Sequence, residues 1–287
     1  MRVVNHTRPD FPEIADIITL VEYIKGLYFT HAIKWICDVC GYGFYDNDFE
    51  DEKYIDPCLL LLEQIEPKKH KQHEEVPLRK LKESVLNEYI QLPNKWFLDE
   101  GISYDVQKQF EIGFSLKDDC ITIPVRDELG NLVGVKGRTI HDHEKLNTSK
   151  YWYLYPTPKN LLLYGLDKAL PYIKETGVVI VYEAEKSVLK SFSYGIRNCV
   201  SIGGHQLSET QILKLEKLNA KIIFAFDNDI KPKEVKKEAN KFVIKDNLYM
   251  LYAHKNKGIL GEKDAPIDKG LEVFTKLYKE DLYKIPV

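Results

Sequence analysis

The chain has 287 residues and a net charge of −3, with 44% hydrophobic and 30% charged residues. This composition is ordinary for a globular protein of one large or two ordinary domains. The chain as a whole is not a polycation, so any nucleic acid must be bound by local basic patches. No apolar run approaches the ~20 residues of a membrane span, and no signal-peptide pattern is present. The five cysteines are mostly scattered, so we expect a reduced, cytoplasmic setting without a disulfide framework.

The first forty residues are predicted to form two helices. In ADIITLVEYIKG the apolar residues recur at close to helical spacing, and Gly26 is expected to end this helix. Thr30 is expected to cap the second helix, HAIKWICDVC, which ends at Gly41. The pair Cys37 and Cys40 lacks the second pair of ligands that a structural zinc site needs, so zinc is not expected in this chain.

The composition changes after the second helix, and this change divides the chain. Residues 45–80 contain the charged runs YDNDFEDEKY and KKHKQHEEVP around one short apolar stretch, which predicts a connector that is mobile in part. Before it lies a helical N-terminal piece, residues 1–44. After it we predict a core subdomain over residues 81–177 and a second domain over residues 178–287.

The core subdomain contains signals for a small sheet. The stretch CITIPVRDELGNLVGVKGRTI predicts two strands around a turn at residues 127–131. YWYLYP is expected to add an extended segment, and LLLYGLDKAL is expected to be a short helix that leads into the last domain. This part of the chain is therefore predicted to be of the α+β type.

The last domain alternates strands and helices. The predicted strands are VVIVYE, NCVSIG, KIIFAFD and NLYMLYAH; the predicted helices are EKSVLKSFSYG, SETQILKLEKL, KPKEVKKEANKFVI and PIDKGLEVFTKLYK. Continuous Val, Ile and Phe runs in such an alternation indicate a parallel sheet with helices on both faces. The predicted fold class of the whole chain is therefore α/β.

Acidic side chains follow three of these strands. Glu183 follows the first strand, Asp227 and Asp229 follow the third, and Asp264 and Asp268 lie in the loop after the fourth. The carboxyl ends of parallel strands are where functional groups gather, and residues two apart project to the same side of an extended chain. Oxygen ligands of this kind select Mg²⁺ or Mn²⁺, which also bind phosphates.

An aspartate pair after a strand has a second interpretation, because Asp and Asn are common in turns. The segment FAFDNDI on its own is therefore also compatible with a polar turn. The position of Glu183 at the same predicted edge of the sheet favours the metal site.

These acidic positions resemble the Toprim domain, which primases, topoisomerases and some nucleases share. Its hallmarks are a Glu after the first strand and D-x-D after the third, matched here by Glu183 and by Asp227 and Asp229. Asp264 is similar to the further acidic position of primases, and Asp268 is a second candidate there. The resemblance implies that these residues hold two divalent ions.

The upstream segments resemble DnaG-type primases among the Toprim families. Residues 134–138, GVKGR, are similar to the Gly-Gly-Arg hairpin of primases, and KYWYLYPTPKNLLLYGLDKAL is similar to the segment from a Lys-Tyr pair to Tyr-Gly-Leu. LPNKWFLDEGISYDVQKQFEIGF resembles the helical start of the primase core, so the resemblance covers about residues 85–280. Ser187 stands where many primases have Asp, and the zinc-ribbon ligands are missing ahead of residue 10.

The resemblance implies an enzyme that makes short RNA primers on single-stranded DNA. Its implied partners are ribonucleoside triphosphates, the template, and a replicative helicase or a zinc-ribbon domain, in the cytoplasm (of a bacterial host if the protein is phage-encoded). A Toprim nuclease and a non-catalytic module that binds single-stranded DNA or a replisome partner are the alternatives. The lysines and arginine expected near nucleotide or template, although most surface lysines are simply solvated, are Lys136, Arg138, Lys150, Lys159 and Lys186.

Overall fold

The computed structural model describes residues 2–4, 14–41, 78–142, 145 and 149–286. The chain separates into two compact units, residues 1–75 and residues 76–287, which are described separately. The boundary falls within the connector predicted for residues 45–80, most of which lies outside the described residues. None of the helices in the described ranges combines the length and apolar character needed to cross a bilayer.

The first unit contains a two-stranded ribbon and two helices. Strand β1 (Arg2–Val4) pairs antiparallel with β2 (Ile14–Asp16), and α1 (Ile17–Lys25) and α2 (Phe29–Cys40) follow. As predicted, both helices end at glycines with positive φ, 61° at Gly26 and 76° at Gly41, where a side chain would be strained. The cap predicted at Thr30 is wrong. The amides of residues 31 and 32 donate to the Tyr28 carbonyl, so the first turn of α2 forms earlier in the chain.

The second unit begins with short helices and an antiparallel sheet. These elements are a 3₁₀ turn (Glu83–Glu88), α3 (Lys95–Asp99), α4 (Tyr104–Gln109), β3 (Gly113–Ser115), β4 (Cys120–Arg126), β5 (Leu132–Thr139) and β6 (Tyr151–Tyr155). The four strands pair in chain order. The predicted turn at 127–131 is present: the Asp127 carboxylate accepts hydrogen bonds from the amides of Leu129 and Asn131, at 3.0 and 2.8 Å.

Close packing on β5 explains its glycines. A Cβ atom at Gly134 would lie 2.7 Å from a methyl carbon of Thr157, and one at Gly137 would lie 3.0 Å from the Trp152 ring. The pleat then sends the alternate side chains of Lys136 and Arg138 out of the same face of the strand. The glycines therefore let the segment that contains Trp152 and Thr157 lie against β5. The side chains of Lys136 and Arg138 project from one face of the strand.

The rest of the second unit is a five-stranded sheet in the order β11-β10-β9-β7-β8. The strands are β7 (Val178–Tyr182), β8 (Cys199–Ser201), β9 (Lys221–Phe224), β10 (Leu248–Leu251) and β11 (Leu282–Lys284). β7, β8, β9 and β10 pair in parallel, and β11, which the sequence patterns did not predict, is an antiparallel edge strand. The predicted fold class is confirmed.

Helices cover both faces of this sheet, as predicted. They are α5 (Leu166–Thr176), α6 (Glu185–Ser193), α7 (Glu209–Lys217), α8 (Pro232–Ala239) and α9 (Leu271–Glu280). The chain steps from β7 to β8 in one direction and from β8 through β9 to β10 in the other. Because parallel crossovers are right-handed, α6 lies on one face, and α7 and α8 lie on the other. The connections that follow β7 and its neighbour β9 therefore leave in opposite directions. Ligands of parallel α/β sheets bind at the crevice between two such strands.

Three helix boundaries differ from the prediction. The helix predicted for LLLYGLDKAL begins only at Leu166 and runs on to Thr176. The last helix begins at Leu271 rather than at Pro266, because residues 265–270 form hydrogen-bonded turns in which the Ala265 amide donates to the Asp268 carboxylate at 3.0 Å. The helix predicted for KPKEVKKEANKFVI ends at Ala239, short of its apolar tail. Ser208 caps α7 as predicted, and its hydroxyl accepts the Gln211 amide in a reciprocal capping box.

Candidate active site

Three carboxylates meet where the strand order reverses. Glu183 directly follows β7, and Asp227 and Asp229 follow the neighbouring strand β9. One oxygen from each lies within 4.8 Å of the others. The Asp227 amide donates a 3.0 Å hydrogen bond to Glu183 Oε1, which joins the ends of the two strands. The sequence prediction that these groups share one edge of the sheet therefore agrees with the structure.

Burial and mutual repulsion make the ionised form of this cluster costly. Burial raises the pKa of Glu183 to about 7, and the charges of Asp229 and Glu234 act in the same direction against the hydrogen bond from Asp227. Burial also raises the pKa of Asp227 to about 7, together with the charges of Glu183, Asp268 and Asp229. Two neighbouring carboxyl groups with raised pKa values repel each other when both are ionised. Such an arrangement is expected where a bound cation offsets the repulsion.

The donor set fits a hard divalent ion. It consists of carboxylate oxygens, which Mg²⁺ and Mn²⁺ prefer, and the only basic side chain paired with the cluster in the described residues is the exposed His205, whose Nδ1 lies 3.5 Å from Glu183 Oε2. Lys186 lowers the pKa of Asp227 by its charge but forms its ion pairs elsewhere. Glu183, Asp227 and Asp229 are therefore the residues that could hold a metal.

The other two predicted acidic ligands lie beside the cluster rather than in it. Asp264 accepts a 2.6 Å hydrogen bond from the Gly261 amide and lies 3.1 Å from Lys269 Nζ. Burial acts to raise the pKa of Asp264, but these two partners outweigh it, and the pKa is lowered. Asp268 lies 3.4 Å from Lys190 Nζ and 3.7 Å from Lys186 Nζ. In this structure both carboxylates are neutralised by lysines.

A chain of alternating charges connects the acidic edge to the hairpin. Lys186 Nζ lies 3.2 Å from one oxygen of Glu100, and Arg138 Nη2 lies 3.7 Å from the other. The Arg138 guanidinium stacks on the Trp96 ring at 3.4 Å from its centroid. Its Nε and Nη1 atoms are buried and have no hydrogen-bond partner among the described residues. These two nitrogens are donors that an anionic ligand could satisfy, since buried donors are rarely left unpaired.

Lys136 has a different environment from the one that its sequence suggested. Its side chain is 10% exposed, and its Nζ lies 2.5 Å from Glu185 Oε1, whose side chain is 7% exposed. The rings of Tyr151 and Tyr153 lie 5.4 and 5.5 Å from the same ammonium. Lys136 therefore joins the antiparallel sheet to the start of α6, and its contact with nucleotide or template stays a prediction.

The remaining two predicted lysines are exposed and lie near the site. Desolvation lowers the pKa of Lys150, and the positive charges of Arg138 and Lys186 lower it further, so these three cations share one region. Lys159 donates to the Gly203 carbonyl at 3.1 Å and lines a cavity of about 370 Å³ that also includes His205. His205, in the lining of this cavity, lies 3.5 Å from Glu183 Oε2, so the cavity adjoins the acidic cluster.

Sequence reasoning missed Glu100, Glu185 and Lys190, which partner the predicted residues. Glu185 is the first residue of a predicted helix. An acidic residue in a first turn is usually explained by the helix dipole, so nothing marked it as the partner of a lysine. The sequence did not predict the ion pairs of Glu100, because its partners Lys186 and Arg138 are distant along the chain.

The parallel sheet, the Glu after its first strand and the D-x-D after its third define a Toprim-type domain, and residues 180–264 match the family described as Toprim-like. The chain is 28% identical over 307 residues to the SPbeta prophage-derived uncharacterized protein YorJ of Bacillus subtilis, covering 94% of this chain and 79% of that protein. It is 30% identical over 193 residues to the DNA primase of Staphylococcus aureus, covering 62% of this chain.

The chain spans 31% of the length of that primase. The solved Aquifex aeolicus primase, comprising zinc-binding and RNA polymerase domains, shares the fold at a TM-score of 0.56 and 20% identity, over 97% of this chain and 78% of that one. The resemblance seen in the sequence is thereby confirmed: the chain is similar to DNA primases, and residues 180–264 match a Toprim-like family.

Proposed function

We propose that this protein is a DNA primase, which synthesises short RNA primers on single-stranded DNA by nucleotidyl transfer. The observation that carries the proposal is the cluster of Glu183, Asp227 and Asp229, with one oxygen of each within 4.8 Å of the others. The relationship to DNA primases supports the choice of reaction. The substrates are ribonucleoside triphosphates and a single-stranded template.

Glu183, Asp227 and Asp229 would hold two Mg²⁺ or Mn²⁺ ions, with Asp264 and Asp268 as candidate further ligands. When bound, such ions lower the pKa of an attacking hydroxyl and neutralise charge on the departing pyrophosphate. The protein's own contribution is positional. The hydrogen bond from the Asp227 amide fixes Glu183 against β9, so the carboxylates are in place before a substrate arrives.

The basic residues would orient the polyanionic substrates. Arg138 has two buried donors without a partner and is held flat on Trp96, which suits a phosphate or a base edge. Lys150 and Lys159 are exposed, and Lys159 lines the cavity beside Glu183. Lys186, between Glu100 and Asp268, would balance the acidic edge once a triphosphate enters.

A primase of this kind would act in the cytoplasm, in a bacterial host if the gene is a phage gene, as the likeness to a prophage-derived protein suggests. A helicase or a zinc-ribbon domain would be its partner on the template. Selection of template start sites would depend on that partner.

The proposal is tested by incubating the protein with labelled ribonucleotides and single-stranded DNA, with Mg²⁺, with Mn²⁺ and with EDTA. We expect short labelled RNA only with metal. Asp227→Asn should abolish it, and Asp246→Asn, at an exposed position, is the matched control. Shortened template would instead indicate a Toprim nuclease, and binding without any product would indicate a non-catalytic module. Either of these results would overturn the proposal.

A further inference from the structure

The helix that follows the acidic edge carries an exposed face of lysines. α8 begins three residues after Asp229, and the segment 231–241 holds five lysines and two glutamates. Lys233, Lys236 and Lys237 are exposed, and none of them has an ion-pair partner in the part of the chain that the structure describes. We refer to these three residues as the lysine face.

The three lysines lie on one side of the helix, because positions three and four apart are neighbours on a helix surface. With a rise of 1.5 Å per residue, Lys233 and Lys237 are about 6 Å apart along the axis. Neither glutamate of the helix forms an ion pair with these three lysines among the described residues. Glu238 is buried, accepts the Leu207 amide at 2.7 Å and pairs with Lys241, which lies beyond the helix end.

Packing holds the lysine face in a fixed position relative to the acidic cluster. Val235 and Ala239 are buried beneath α8, and Glu216 of the neighbouring helix α7 accepts the amide of Val243 just beyond it, at 2.7 Å. At the other end, the helix begins at Pro232, three residues after Asp229 of the cluster. The helix therefore starts at the acidic edge and leads away from it.

The chemistry of the face selects the partner. A cluster of exposed lysines without ion-pair partners attracts a polyanion. The proposed function, on which this inference rests, provides nucleic acid at the neighbouring edge. Surfaces for single strands usually add aromatic side chains on which bases stack, and residues 231–241 contain none. A duplex, whose bases are already stacked and whose phosphates face outward, needs only charges.

We propose that the lysine face binds the phosphate backbone of the primer–template duplex as it leaves the acidic cluster. The contact is independent of base sequence and serves extension rather than the first bond. Its removal should therefore shorten the products without preventing the first dinucleotide.

The test compares two triple variants of the full chain. One is Lys233→Gln, Lys236→Gln and Lys237→Gln. The control, Lys174→Gln, Lys276→Gln and Lys279→Gln, removes the same charge from exposed positions on α5 and α9. Binding of a labelled RNA–DNA hybrid and of its single DNA strand is measured over a range of salt concentrations. Thermal melts verify that both variants remain folded.

For the hybrid, we expect the slope of log affinity against log salt to be less steep by about 2–3 in the lysine-face variant, since each phosphate contact adds about 0.9. The control should keep the parent slope. Equal changes in both variants, or no change in either, would overturn the inference. A loss confined to the single strand would overturn it too, because it would indicate a template contact.

Primer synthesis separates this inference from the proposed function. The lysine-face variant should form dinucleotides at the parent rate and make fewer long products. If the parent makes no primer but its hybrid binding still depends on the lysine face, the proposed function fails and the binding surface stands. If primers form and their lengths are unchanged in the variant, the surface fails and the function stands.

Discussion

Replacing Asp227 with Asn removes one charge from the acidic cluster while keeping the shape of the side chain. Burial and neighbouring carboxylates raise the pKa of Asp227 from its ordinary value near 3.8 to about 7. At pH 8 the group is ionised in the folded protein at a cost of up to about 4 kcal/mol, at 1.36 kcal/mol per pKa unit.

The side chain is only partly buried, and the repulsion is shared with Glu183 and Asp229, so water screens part of this cost. We therefore expect Asp227→Asn to stabilise the metal-free protein by about 1–2 kcal/mol at pH 8. For a unit of this size each kcal/mol corresponds to a rise in Tm of about 2–4 °C. The same change should abolish nucleotide addition.

Thermal melts in EDTA and in Mn²⁺ measure both effects. A ligand that binds only the native state stabilises it by about 2.7 kcal/mol at one hundred times its Kd. Mn²⁺ should therefore raise the Tm of the parent more than that of Asp227→Asn, with Asp246→Asn behaving like the parent. A mutant that is less stable in EDTA yet fully active would refute the metal assignment and indicate a structural turn.

Three further predictions concern pH, packing and modularity. In the unfolded chain Glu183 and Asp227 titrate near pH 4, and in the metal-free fold near 7, so the stability they contribute is present below about pH 4 and is lost as the pH rises to 7. Urea unfolding in EDTA between pH 5 and 8 should show this slope, and a Glu183→Gln, Asp227→Asn double variant should lack it; identical slopes would contradict the reasoning. Lys136→Met leaves the Glu185 carboxylate buried without a partner and should cost about 3 kcal/mol, and adding Glu185→Leu should recover most of it in denaturant melts. A double variant no more stable than the single one would show that the pair is not the cause. Limited proteolysis followed by mass spectrometry should find the first cuts within residues 45–80, and first cuts between residues 120 and 230 would show the predicted division to be wrong.

The sequence predicted the sheet and its acidic edge because both follow from local rules. Alternating apolar strands and amphipathic helices impose parallel strands, and parallel strands bring their carboxyl ends together. Glu183 and Asp227 could therefore be placed side by side although 43 intervening residues separate them. This placement needs only that β7 and β9 run in the same direction and pair with each other.

The partners of the basic residues could not be predicted in this way. Lys136, on a strand of the antiparallel sheet, pairs with Glu185 at the start of a helix of the other sheet, and Arg138 meets Glu100, which directly follows a short helix. Neither pair follows from a period or a turn. The strand β11 was missed for a related reason. It has three residues, one residue after the end of α9, and Leu282 continues the apolar spacing of the helix. Only its antiparallel pairing with β10 makes it a strand.

The hydrogen bond from the Asp227 amide to Glu183 links chemistry to the most protected part of the fold. The acidic groups stand at the ends of β7 and β9, each flanked by a strand on both sides, whereas β11 and β8 form the margins. Interior strands open to solvent only in rare, large-scale fluctuations, while margins fray readily. Amide hydrogen exchange should therefore be slowest at the strands that carry the carboxylates. Loops around the site can therefore move while Glu183 and Asp227 keep their positions relative to each other.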